Sequence, residues 1–141
     1  MKEKMQCGLL VKTLHNKLEK QANNTLRNKD LTLMQVLVLM ELRDSKEKQL
    51  SMKELEKKFS VAQSTMAGVI SRLEQKKFVD AYGDPNDKRV KVAHITSEGE
   101  SCCTEAAGYM AEAEQELLNG FTDSEKKIFF ELLERAAENI S

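Results

Sequence analysis

Five times in this 141-residue chain a Ser or Thr is followed three residues later by Glu or Gln, just ahead of a run with helical periodicity. In such a capping box the hydroxyl accepts a backbone N–H of the first turn, and the longer side chain accepts the N–H of the cap residue. The pairs are Thr32 with Gln35, Ser51 with Glu54, Ser60 with Gln63, Ser97 with Glu100, and Thr122 with Glu125. Together they cut the chain into helices of ordinary length. With one Pro and six Gly, few breakers interrupt those helices, so a mainly α fold is expected. At this length and 40% hydrophobic content, residues 1–141 should form a single domain.

The periodicity supports each segment. Residues 3 to 27 place Leu10, Leu14, Leu18 and Ala22 on one face of an amphipathic helix. Residues 33 to 43 are apolar around most of the circumference and belong in the core. Residues 52 to 59 form a short helix that buries Leu55 and Phe59. A fourth helix, 61 to 76, turns Met66, Val69, Ile70 and Leu73 inward and leaves a small, polar outer face. From Phe78 to Ile95 the pattern changes to two strand-like runs around Gly83-Asp84-Pro85-Asn86-Asp87-Lys88, which reads as a β-hairpin. Residues 98 to 119 carry Cys103, Ala106, Met110, Ala113 and Leu117 as a helix-packing seam. A last helix, 123 to 139, offers Phe129, Leu132, Leu133 and Ala136.

A short helix, a tight turn and a longer helix with a small polar face meet the requirements of a helix-turn-helix, whose second helix enters a DNA major groove about 12 Å wide. Gln63, Ser64, Thr65, Ala67, Gly68, Ser71 and Arg72 supply that face. Gln63 has two readings: an amide that pairs with adenine, or the capping partner of Ser60. After the hairpin's Asp87, Lys88, Arg89 and Lys91 put cations on a projecting element, where an Arg suits the minor groove. The net charge of -1 conceals an asymmetry. Residues 1 to 50 carry net +4 and residues 51 to 96 net +3, whereas residues 97 to 141 carry net -8. A polyanion is therefore drawn to the first two thirds and repelled by the last.

These residues resemble the MarR family of winged-helix regulators, from about Leu31 to Gly99. The resemblance is carried by Leu31-Thr32 with Gln35, Glu54-Leu55, Arg72-Leu73-Glu74, the run Asp84-Pro85-Asn86-Asp87-Lys88-Arg89, and Ile95-Thr96 with Gly99. It implies a mainly α fold with a small β-hairpin wing, in which residues 31–96 form the DNA-binding lobe. Residues 1–30 and 97–141 would be the helical dimerisation region. It further implies a homodimer that binds an inverted-repeat operator in double-stranded DNA, with Arg89 as the wing arginine and Asp87 as the carboxylate that orients it. A repressor released by a small anionic or aromatic effector is the corresponding function, and His15, Met34, Met40 and Met110 would line the effector cleft. Three positions depart from the family pattern. Lys77 stands where Gly is usual, and a left-handed backbone there would cost on the order of 1 kcal/mol; Ala81 stands where Arg is frequent, and Ile95 where Leu is.

Other function classes leave weaker marks. Cys7 lies near the position of the reactive cysteine in peroxide-sensing relatives, so a thiol-based oxidation sensor is one alternative, with Lys2 and Lys4 as nearby cations. A winged helix devoted to protein contacts is another, although it would not need the cations that follow the hairpin's turn. His15 and His94 are the only histidines, neither in a metal-ligand spacing, and there is no phosphate-cradling Gly loop, so no enzyme, cofactor or metal is expected. Three cysteines make no disulfide framework, no secretory signal is evident, and the longest apolar run, Val36 to Met40, is far below the roughly 20 residues of a membrane span. Cytoplasmic residence is the expectation.

Overall fold

The computed structural model describes residues 6–140. In chain order it comprises α1 (Cys7–Leu26), α2 (Leu33–Asp44), β1 (Gln49–Ser51), α3 (Met52–Phe59), α4 (Gln63–Gln75), β2 (Val79–Gly83), β3 (Lys91–Ile95), α5 (Ser97–Leu117) and α6 (Asp123–Asn139), with single 3₁₀ turns at Arg27–Lys29 and Lys46–Lys48. Within residues 33–95, three helices and the small sheet form a winged helix, as expected. The start expected for the first helix, at residue 3, lies outside the described residues, as do Lys2 and Lys4. The chain divides into two compact units, one up to Tyr109 and one from Met110.

In the first unit, α2 is the central element: Val36, Val38, Leu39 and Leu42 are all buried. Against it pack Leu55 of α3, the stripe Met66, Val69, Ile70 and Leu73 of α4, and Val79, Ala93 and Ile95 of the sheet. The α4 stripe is the inward face that the periodicity assigns. Cys102, Cys103 and Ala106 of α5 complete this core. By contrast α1 buries only Leu26, while Leu9, Leu10 and Val11 stay more than half exposed. In the second unit, α6 buries nothing, and Ile128, Phe130, Leu132 and Leu133 are exposed. A tilted ring pair, Phe121 with Phe129 at 5.5 Å, closes the turn before α6.

Three of the five capping boxes form as read, at Thr32, Ser51 and Thr122, each with both reciprocal hydrogen bonds. The other two do not. Ser60 is left-handed (φ 52°) and closes α3, with its N–H on the Lys57 carbonyl and the Val61 N–H on the Glu56 carbonyl. A cap residue needs extended backbone, so Ser60 cannot also open α4; Ala62 takes that place without a side-chain bond, and α4 begins at Gln63. At α5 the cap is Thr96, one residue before Ser97: its hydroxyl accepts the Gly99 N–H at 3.1 Å.

The expected hairpin is part of a three-stranded antiparallel sheet of order β1-β3-β2. The strand that the periodicity misses, β1, is only three residues long and pairs Gln49 with His94 and Ser51 with Val92. Such a strand is too short to alternate visibly, and its pairing with β3 rather than its composition defines it.

The end of α4 confirms the expected strain. Lys77 is left-handed (φ 67°) in a Schellman motif, with the Phe78 N–H on the Leu73 carbonyl and the Lys77 N–H on the Glu74 carbonyl, each at 2.9 Å. The Thr96 hydroxyl donates to the Lys77 carbonyl at 2.7 Å, and the Thr96 N–H donates to the Phe78 carbonyl at 2.9 Å. Gly99 sits so close that a Cβ there would lie 2.3 Å from the Phe78 oxygen.

Two substitutions should therefore shift thermal stability in opposite directions at matched protein concentration. Lys77→Gly relieves the left-handed strain and should stabilise by about 0.5–1 kcal/mol. Gly99→Ala forces α5 away from the Phe78 carbonyl and should destabilise by about 1–3 kcal/mol. A Gly99→Ala protein that melts with the wild type would contradict this packing.

Candidate nucleic-acid interface

The turn at Ser60 sends α4 off α3 with its buried stripe against the core and the rest of its surface outward. Gln63, Ser64, Thr65, Ala67, Ser71 and Arg72 are exposed and Gly68 is half-buried. With Ser60 committed to ending α3, Gln63 is not a capping partner, and its amide has no hydrogen-bond partner among the described residues. The donors and acceptors of that side chain are available to a base edge. Small side chains at 64, 67, 68 and 71 keep the bulk of the helix low enough for close approach. The Arg72 guanidinium lies over Gly68, 3.5 Å from where a Cβ would stand there.

The wing tip is ordered by its own backbone. Asp84 accepts the Asn86 N–H on its carboxylate at 2.8 Å and the Asp87 N–H on its carbonyl at 3.1 Å. Val90 and Asp84 then close the loop, the Asp84 N–H meeting the Val90 carbonyl at 2.8 Å. Within this loop Arg89 donates through Nε and Nη2 to the two carboxylate oxygens of Asp87 at 3.1 and 3.2 Å, while its backbone N–H also meets that carboxylate. These hydrogen bonds hold the Asp87 carboxyl below its ordinary range. The Arg89 side chain remains 91% exposed, so the fork holds a cation at the surface instead of neutralising a buried charge. Lys88 and Lys91 are exposed beside it. At the wing's root the Tyr82 hydroxyl donates to Gln49 Oε1 at 2.9 Å, tying β2 to β1.

One cleft of about 680 Å³ joins the two elements, with Gln63, Ala67 and Ser71 on the α4 side and Arg89 and Lys91 on the wing side. Residues about 25 apart in sequence thus share a concave surface. Lys53 of α3 lines the same cleft and is absent from the sequence-derived set. Its signal was available, since it stands in the first turn of a capped helix immediately before the helix-turn-helix turn.

The remaining sequence-derived residues lie elsewhere. Met34 and Met40 are half-buried against the main core. His15 is exposed on α1, 3.9 Å from Glu19 one turn on, and Met110 is half-buried in the second unit. Cys7 is exposed at the first turn of α1, whereas Cys102 and Cys103 are buried free thiols whose pKa values burial pushes up. Among the described residues no group of three or more His, Cys, Asp or Glu is arranged for a metal, and no helix is long and apolar enough to cross a membrane.

The sequence pattern of the MarR family matches residues 29–90, from the turn after α1 to the wing. YwaE of Bacillus subtilis, an uncharacterised HTH-type transcriptional regulator, is 32% identical over 80 residues, covering 57% of this chain and 47% of that protein. The chain spans about half the length of the curated relatives it matches. Among solved structures, a Cys-to-Ser variant of MarR from Escherichia coli complexed with operator DNA superimposes with a TM-score of 0.80 at 27% identity, covering 92% of this chain and 91% of that one. BpsR of Bordetella bronchiseptica, whose DNA binding is regulated by 6-hydroxynicotinic acid, superimposes with a TM-score of 0.84 at 25% identity, covering 97% and 96%. The matched segment, the winged-helix fold and these structural likenesses agree: residues 29–90 carry the MarR-family pattern, and the chain is similar in fold to MarR-family winged-helix transcriptional regulators.

Proposed function

We propose that this protein is a transcriptional repressor that binds an inverted-repeat operator in double-stranded DNA as a homodimer. The observation that carries the reading is the shared cleft, in which an uncommitted Gln63 and the small polar face of α4 stand next to an Arg89 held outward by Asp87. In this reading α4 enters the major groove and Arg89 the adjacent minor groove, where narrow width concentrates negative potential. Residues 31–96 are the DNA-binding lobe, with Lys88 and Lys91 on flanking phosphates. The helices of residues 1–30 and 97–141 are the dimerisation region. Support for that part comes from the bare apolar faces of α1 and α6, each separately too extensive for a solvated helix. Two symmetric lobes then read half-sites about 10 base pairs apart.

Release by a small anionic or aromatic ligand is part of the same proposal, supported by the regulation of BpsR by 6-hydroxynicotinic acid.

Selection of preferred duplexes from random sequence, followed by affinity measurements over a range of salt, tests the reading. An inverted repeat should emerge, and binding should weaken steeply with salt as counterions are released. Arg89→Ala should weaken binding to all duplexes by about tenfold or more and reduce the salt slope by about 1. Gln63→Ala should instead change the preferred base at one position of each half-site, by about 1–3 kcal/mol of discrimination. A best site without inverted symmetry, or a slope near zero, would sink the proposal.

The Arg89–Asp87 fork makes the wing acid-sensitive. Because the folded Asp87 carboxyl titrates below its ordinary value, the fork is fully formed above that ordinary value and is lost as pH falls through the depressed one. Asp87→Asn should therefore bind duplex more weakly than wild type at neutral pH while retaining the helical circular dichroism of the wild type. Unchanged affinity would show that the fork does not position Arg89.

A further inference from the structure

On the opposite flank of α4 from the wing cleft lies a second cleft of about 680 Å³, between the C-terminal half of α4 and the corner that joins α1 to α2. Three cations line it, Arg27, Arg72 and Lys76, against one carboxylate, Asp30. The excess is two positive charges in a concave site, where low-dielectric walls focus the potential.

Lys76 is fixed in place. Its side chain is only 21% exposed, and its ammonium donates to Gln35 Oε1 at 3.1 Å and to the Asp30 carbonyl. Gln35 is itself 5% exposed, and the same oxygen accepts the Thr32 N–H at 3.2 Å. An ammonium has three N–H donors, so one is left for an occupant. The Thr32 hydroxyl accepts the Gln35 N–H at 3.2 Å, which leaves its own hydrogen free to donate. Arg72 has no ion-pair partner among the described residues, and Arg27 spends only Nη2, on a neighbouring asparagine at 3.0 Å. The Asp30 carboxylate is 99% exposed and 3.9 Å from the ammonium, a loose pair that competes weakly with a better anion.

We propose that this cleft binds an oxyanion of the phosphate class, held by Arg27, Arg72, Lys76 and the Thr32 hydroxyl. Donors from the corner and from α4 suit a tetrahedral acceptor with three or more oxygens better than a planar carboxylate with two. An occupant would clamp the end of the recognition helix to the α1–α2 corner. The phosphate has two sources: a free phosphate-bearing small molecule, or the backbone of a bound duplex.

Calorimetric titration of the full chain with inorganic phosphate, at constant ionic strength in chloride, tests the free source. One phosphate should bind per chain. Arg27→Gln and Lys76→Met should each weaken it about tenfold, the loss of one charge-assisted hydrogen bond, and Asp30→Asn should tighten it. Arg27→Gln lies on an exposed turn, so it decides the matter if Lys76→Met fails to fold. For the backbone source, Arg27→Gln should lower the salt slope on a mixed-sequence duplex by about 1. Saturable phosphate binding lost in Arg27→Gln supports the free source, and a lowered slope supports the backbone source. No phosphate binding above the chloride background together with an unchanged slope overturns the proposal, as does phosphate binding that Arg27→Gln and Asp30→Asn leave unaltered. The phosphate arm contains no DNA and Arg89 lies on the other flank of α4, so failure here is distinguishable from failure of the repressor reading.

Discussion

The carbonyls of Lys77 and Phe78 fix where α4 and the wing stand. Both accept from Thr96, one from its hydroxyl and one from its N–H, and the same hydroxyl receives the Gly99 N–H that opens α5. The end of α4, the start of β2, the end of β3 and the start of α5 therefore meet at one threonine. A side chain at position 99 would collide with the Phe78 carbonyl, so glycine is needed for close packing and not for an unusual φ. The Ile95-Thr96-x-x-Gly99 signature is thus a junction that sets the recognition helix and the wing relative to each other. Lys77 keeps its left-handed backbone here because two Schellman hydrogen bonds and the Thr96 bond outweigh a strain of about 1 kcal/mol.

What the sequence made legible is the chemistry that acts within one turn of helix. Thr32, Ser51 and Thr122 cap as read because hydroxyl, first-turn N–H and reciprocal Glu or Gln are all local. Ser60 and Ser97 carry the same pattern and fail for reasons the pattern omits. Ser60 is claimed by the preceding helix, and Thr96, one residue earlier than Ser97, is already held by the Lys77 carbonyl. The three residues of β1 are a strand only because β3 lies beside them. The inward stripe of α4, by contrast, was fully legible, since burial of Met66, Val69, Ile70 and Leu73 follows from a period of 3.6 alone.

The same distinction runs through the sites. The cations after the hairpin's turn and the polar face of α4 could be found from residue type and order, but the cleft that joins Gln63 to Arg89 could not, nor could the place of Lys53 in it. The second cleft was still less visible, because Arg27 and Lys76 are separated by most of the lobe and are brought together by packing of α4 on α2. Charge counted along the chain located the positive two thirds; only folding divides that charge between two flanks of one helix.

That division explains how a helix with so few charged residues can serve as a recognition element. From Gln63 to Ser71 the helix carries no charge at all, so in the proposed complex long-range attraction to DNA would come from its borders. Arg89 and Lys91 stand on one flank to provide it in the proposed complex, and Arg27, Arg72 and Lys76 on the other. Phosphate contacts at the borders would position the helix without reading sequence, which would leave the uncharged centre free to discriminate among bases. A bulky cation in the centre would hold the helix away from the base edges, whereas the small Ser64, Ala67, Gly68 and Ser71 would let Gln63 reach them in that complex. On this proposal affinity and specificity rest on different residues, and the junction at Thr96 holds α4 and the wing in register.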